Sequence, residues 1–162
     1  MIALKRILVA TDFSEASHAA VRYGLALARK FESQLHVLHA AGRQDVQVMV
    51  ERQRVIDEFL RESDQPAVHH NAARELMADL LTAPDGTTVP AECVLRASGP
   101  GGPYVEIVRY ASEREIDLIV VGTHGRGFIG HMFMGSVAEK VVRNAPCPVL
   151  TVHHPQHEFV LP

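Results

Sequence analysis

The sequence predicts an α/β protein, an open parallel sheet with helices on both of its faces. Three observations carry this expectation. Short apolar runs rich in β-branched residues recur along the 162-residue chain, as strands buried on both faces do. Between them lie segments whose apolar residues are spaced by three and four, the signature of a helix with one buried face. The two kinds of segment alternate, and strands joined through helices form a parallel sheet by right-handed crossovers.

The elements follow in order. Arg6 to Thr11 (RILVAT) is the first strand. Ser14 caps the helix after it, and Glu15 sits in the first turn, where the helix dipole favours an acid. Ala20, Gly24, Leu27 and Phe31 give that helix a buried face, and Gln34 to Ala40 is the second strand. Met49 to Leu60 reads as helical, Pro66 interrupts it, and a stripe from Ala72 to Leu81 resumes it, so a broken helix is expected. Val89 to Ala97 is the third strand. Pro103 opens the next helix, with Tyr104, Ile107, Val108 and Ala111 inward. Asp117 to Gly122 is the fourth strand. Val137, Ala138, Val141 and Val142 mark the last helix, and Cys147 to His153 the fifth strand.

Length and composition suit one domain, residues 1–162, with a core over 4–153 and an irregular tail over 154–162. No apolar run reaches the roughly 18 residues of a membrane span. The opening residues lack the pattern of a signal peptide, so a cytoplasmic protein is expected. Cys93 and Cys147 are far apart and outside any CxxC pair, which favours buried, reduced thiols. A formal net charge of -3 argues against a nucleic-acid partner. The ten histidines are scattered. His153, His154 and His157 lie on the tail without fixed geometry, so no metal site is expected. His36 and His39 fall inside a strand and are expected to be packed or hydrogen-bonded.

Chemistry concentrates in two stretches that the topology brings together. In an open α/β sheet, ligands bind beyond the carboxyl ends of the strands where the strand order reverses. One stretch is Thr11, Asp12, Phe13 and Ser14; the other runs from Gly122 to Ser136. Gly122 lets a ligand approach closely. Gly125 and Gly127 can turn successive N–H groups inward as an anion nest. Gly135 and Ser136 open the last helix, whose first N–H groups have no internal partner. A structural reading stands beside this one: glycines serve turns, and Ser136 to Glu139 (SVAE) is a complete capping box. The chain has no GxxxxGK[ST], and GTHGRG has the wrong spacing for GxGxxG.

Three stretches resemble the universal stress protein family: ILVATDFSEAS, EIVRYASEREIDLIVVGTHGRG and GSVAEKVVRNAPCPVLTV. The similarity covers residues 4–153, and the middle, from Gly42 to Thr88, keeps little of the family pattern. Nucleotide-binding members carry glycine, two residues, glycine, nine residues, glycine, then serine or threonine. Here these are Gly122, Gly125, Gly135 and Ser136. The resemblance implies a Rossmann-like sheet of order 3-2-1-4-5 and ATP, or the related ADP or AMP, in the crevice. By that analogy Gly122 and Gly125 line the ribose and phosphate path, with Arg126 and Gly127 in the same loop. Gly135 and Ser136 hold the phosphates. His39 and Ala40 border the adenine through their backbone, and Asp12 lies near the ribose and the metal-bound phosphates.

Asp12 has two readings, a ligand for ribose or for Mg2+ on the phosphates, or a helix cap. Arg126 could meet charge on a transferred phosphoryl group, but no base and no serine–histidine–acid set stands out. The expected function is therefore a regulatory adenine-nucleotide binder of the stress response, with no catalytic residue assigned. The alternatives are a slow Mg2+-dependent ATPase or phosphoryl-transfer enzyme, and a nucleotide-free dimeric scaffold. The last strand should lie at a sheet edge, which predicts a homodimer through Pro148 to His153, with no membrane partner.

Overall fold

A computed structural model describes residues 3–41, 81, 90–123 and 135–153. Its elements are β1 (Arg6–Ala10), α1 (Glu15–Phe31), β2 (Gln34–Ala41), β3 (Ala91–Ala97), α2 (Pro103–Glu113), β4 (Leu118–Gly122), α3 (Ser136–Asn144) and β5 (Val149–Val152). The strands form one parallel sheet in the order β3-β2-β1-β4-β5, a Rossmann-like arrangement with helices on both faces.

Side chains alternate across a strand, so each central strand feeds both faces. Ile7, Val9, Leu35 and Val37 pack toward α1. Leu8, Leu38, Ile119 and Val121 pack with Ile107, Tyr110 and Ala111 of α2 and Ala138 and Val141 of α3. The unbroken apolar runs thus reflect burial on both sides of the sheet. Register fixes the central strands: Val9 lies opposite Val37 on one side and Val120 on the other.

The expected stripe of α1 holds at Ala20 and Gly24, which are buried, and at the partly buried Leu27, and fails at Phe31. Ala20, Val21, Leu25 and Ala28 are inside, whereas Phe31 is 46% exposed in the last turn, next to the left-handed Glu32 that ends the helix. Small residues decide this face because α1 sits close on the sheet. A Cβ at Gly24 would overlap Val9 Cγ2. Asp117, expected at the head of the fourth strand, precedes it. Its carboxylate instead accepts the backbone N–H groups of Lys5 (2.7 Å) and Arg6 (2.8 Å), tying the start of β1 to the approach of β4.

The helix expected over 49–81 lies outside the described residues apart from Leu81, which is buried in the α1-side core. Cys93 and Cys147 are unlinked and partly buried, and burial pushes the Cys147 thiol up from its ordinary range. Among the described residues no helix is long and apolar enough to cross a membrane.

Candidate functional site

Strand order reverses between β1 and β4, so the crevice lies beyond their carboxyl ends. The exit of β1 is tightly tied. Thr11 N–H continues the ladder to Leu38 O at 2.9 Å. The Thr11 hydroxyl accepts Phe13 N–H (3.1 Å) and pairs with the buried Ser17 hydroxyl (3.0 Å). Asp12 Oδ1 accepts both the N–H (3.0 Å) and the hydroxyl (2.5 Å) of Ser14. Ser14 Oγ in turn accepts Ser17 N–H at 3.3 Å and caps α1, as expected from its place in the sequence. Asp12 is thus not the cap itself; it orients the residue that is.

These bonds hold Phe13 at φ 61°, a left-handed conformation rarely adopted by bulky residues. The Phe13 ring packs against His39, with centroids 4.7 Å apart. His39 Nδ1 lies 2.8 Å from Thr11 O. A carbonyl oxygen only accepts, so Nδ1 carries the proton and Nε2 presents a lone pair. Nε2 is buried and has no hydrogen-bond partner among the described residues. His39 shares the α1-side face with Leu35 and Val37, while Ala40 shares the opposite face with Leu38. The imidazole therefore positions the β1 turn. Both histidines of β2 are buried and hydrogen-bonded, as their place inside a strand predicted.

At the exit of β4, Gly122 serves close packing. A Cβ there would stand 2.8 Å from Ala16 O and 2.9 Å from Ala16 C, in the backbone of the first turn of α1. That contact accounts for glycine at this position on steric grounds and brings the start of α1 onto the end of β4. Thr123 N–H bonds Val152 O (2.9 Å), and its hydroxyl meets His153 Nδ1 (2.9 Å). Gly135 N–H bonds Thr123 O at 2.5 Å, which sets the N-terminus of α3 against the end of β4. Gly125, Arg126 and Gly127 lie outside the described residues.

The capping box expected over Ser136–Glu139 does not form. The cap position is Gly135, in extended backbone and without a side-chain capping bond, and Ser136 is the first residue of the helix. Shifted by one position, Glu139 cannot reach back to the cap and pairs instead with Arg143 (3.1 Å to Nε). The Ser136 side chain is exposed and makes no capping bond. Among the described residues no side chain caps this first turn, whose N–H groups and positive dipole end lie at the crevice. Thr11 and Thr123 fall within the two stretches expected from sequence, without a role of their own there, and Ser17, which pairs with Thr11, falls outside both. The usable signal was a hydroxyl residue directly after each of two strand-like runs.

Comparison with known proteins extends this picture. The model of the universal stress protein family matches residues 3–153. Universal stress protein MJ0531 of Methanocaldococcus jannaschii is 30% identical over 159 residues, covering 95% of this chain and 85% of its own. A universal stress protein solved in complex with cAMP is 24% identical, with a TM-score of 0.61 over 94% of this chain and 99% of its own. The universal stress protein of Archaeoglobus fulgidus solved in complex with dAMP is 20% identical, with a TM-score of 0.51 over 94% of this chain and 99% of its own. With the strand order, the two tied exits and a match that runs nearly end to end, the chain belongs to the universal stress protein family.

Proposed function

We propose that this protein binds an adenine nucleotide, ATP or its relatives ADP and AMP, across the carboxyl ends of β1, β2 and β4, and acts as a regulatory binder. The observation that carries the reading is the start of α3. Its cap is a glycine without a side-chain bond, its first hydroxyl is exposed, and it is held against β4 at the reversal of strand order. The N–H groups of a first turn and the helix dipole favour an anion there. Family members solved with cAMP and with dAMP support an adenine ligand.

In this reading Gly135 and Ser136 hold the phosphates. Gly122, Gly125, Arg126 and Gly127 follow the ribose and phosphates, and the backbone of His39 and Ala40 borders the base. Asp12, which orients the cap of α1, lies near the ribose. Among the described residues no group of three or more His, Cys, Asp and Glu side chains could hold a metal ion. Magnesium would therefore arrive on the phosphates, with Asp12 as a protein carboxylate near it. The nucleotide acts by favouring whichever state of the crevice binds it better. The edge position of β5, with Val149 and Leu150 only partly buried, supports a homodimer through residues 148–153.

The test is mass analysis of small molecules released from freshly purified, denatured protein. The expected result is an adenine nucleotide in near-stoichiometric amount. Protein that carries none, and shows no calorimetric response to added ATP, ADP or AMP, is the nucleotide-free scaffold instead. A Mg2+-dependent release of phosphate well above background, lost in Asp12→Ala, would establish the enzyme.

A further inference from the structure

At the amino ends of the strands, opposite the crevice, lies a cluster that the nucleotide reading does not use. His36 of β2 is 2% exposed. Its Nδ1 is 2.8 Å from Tyr110 Oη on α2 and 3.5 Å from Glu92 Oε2 on β3. Tyr110 Oη also reaches Glu92 Oε1 at 3.4 Å. Two acceptors around Nδ1 favour the tautomer with its proton there, as Tyr110 donates its own O–H to Glu92. Nε2 then holds a lone pair in the interior, without a partner among the described residues.

We propose that His36, Tyr110 and Glu92 form an acid-released latch between the β2–β3 side of the sheet and α2. With a neutral imidazole the latch is closed. A protonated ring carries a second N–H, on Nε2, into a place where no described residue accepts it. The ring's alternative is beside it: a cavity of about 340 Å³ that His36 itself lines, with Glu92, Glu113 and Glu115 and the guanidinium groups of Arg6 and Arg114 also on its walls. Turning toward those carboxylates, which it would share with Arg114, Arg96 and Arg6, satisfies the charged ring and gives up the bond to Tyr110.

The groups around His36 do not all act in one direction. Burial holds its pKa below the ordinary histidine value; Glu92 raises it, and Arg114 of α2 and Arg6 of β1 lower it. Arg114 is also engaged by Glu92 at 3.2 Å, and Arg6 by Glu115 at 2.9 Å. Arg96 lies over the Tyr110 ring, 4.9 Å from its centroid. Burial dominates, so the folded state resists the proton that the unfolded chain accepts. The unfolded chain then binds more protons than the folded one below about pH 6.5, and stability falls as pH falls through that range.

The test follows the histidine Cε1–H resonances of the intact protein from pH 8 to 4.5, with His36 assigned by the signal missing in His36→Gln. His36 is expected to titrate below the ordinary value, and lower still in Glu92→Gln. Its ring contact with Tyr110 should disappear as it titrates, while the sheet remains folded. In urea unfolding, the wild-type folding constant should fall relative to His36→Gln, by up to about tenfold per pH unit between the folded and unfolded pKa values. Titration at or above the ordinary value, or a Tyr110 contact that persists in the protonated form, overturns the proposal. Should His36→Gln not fold, the wild-type and Glu92→Gln spectra decide it.

Discussion

His39 Nδ1 and the carbonyl oxygen of Thr11, 2.8 Å apart, join the end of β2 to the turn that leaves β1. That one bond orients a ring and supports the left-handed Phe13 packed on it. His39→Leu keeps the apolar packing but leaves Thr11 O without this donor. It should cost roughly 1–3 kcal/mol in urea unfolding. If the nucleotide reading holds, it should also weaken ATP binding in calorimetry.

Ser14 stands between Asp12 and α1. Ser14→Ala removes the cap and should cost about 1 kcal/mol. Asp12→Asn retains an oxygen acceptor for Ser14 and should cost less. The same unfolding measurements, made side by side, test the order of the two.

Gly122→Ala places a methyl group 2.8 Å from Ala16 O, and neither backbone can give way freely. A loss of about 1–3 kcal/mol is expected from overpacking, whether or not a nucleotide is present. Urea midpoints without and with ATP would show this, and a wild-type midpoint in the variant would refute the packing role.

Tyr110 has its pKa pushed up to about 12, first by burial and then by the Glu92 carboxylate. The unfolded value is about 10, so the folded state keeps a proton that the unfolded chain releases. The stability linked to Tyr110 is fully present below pH 10 and is lost as pH rises from 10 to 12. Ultraviolet titration should show one late-ionising tyrosine, absent in Tyr110→Phe.

Much of this was legible in the sequence because double burial leaves a plain mark. RILVAT and DLIVVG are apolar on both sides of the backbone, and only the interior of a covered sheet asks for that. The strand order came from the resemblance and matches the structure. Of the expected face of α1, Ala20 and Gly24 are buried and Leu27 packs at its edge; only Phe31 departs, because the helix ends there at the left-handed Glu32, while close packing on β1 also takes in the small Ala28. The cap of α3 was misread by one residue, since Gly135 and Ser136 are both acceptable caps and only the bond from Gly135 to Thr123 fixes the boundary. The role of Gly122 against Ala16 joins residues far apart in the chain, and no local pattern encodes it.

The nucleotide reading rests on the opening of α3, and Ser136→Ala is the direct probe of it. Because Ser136 is not the cap, the variant should unfold within about 0.5 kcal/mol of the wild type. Calorimetric titration of both proteins with ATP is the decisive measurement. The account predicts one saturable site per chain in the wild type and a roughly five- to tenfold weaker site in the variant, the loss of about one hydrogen bond. Equal affinity in the two proteins, or no binding in the wild type, would contradict it.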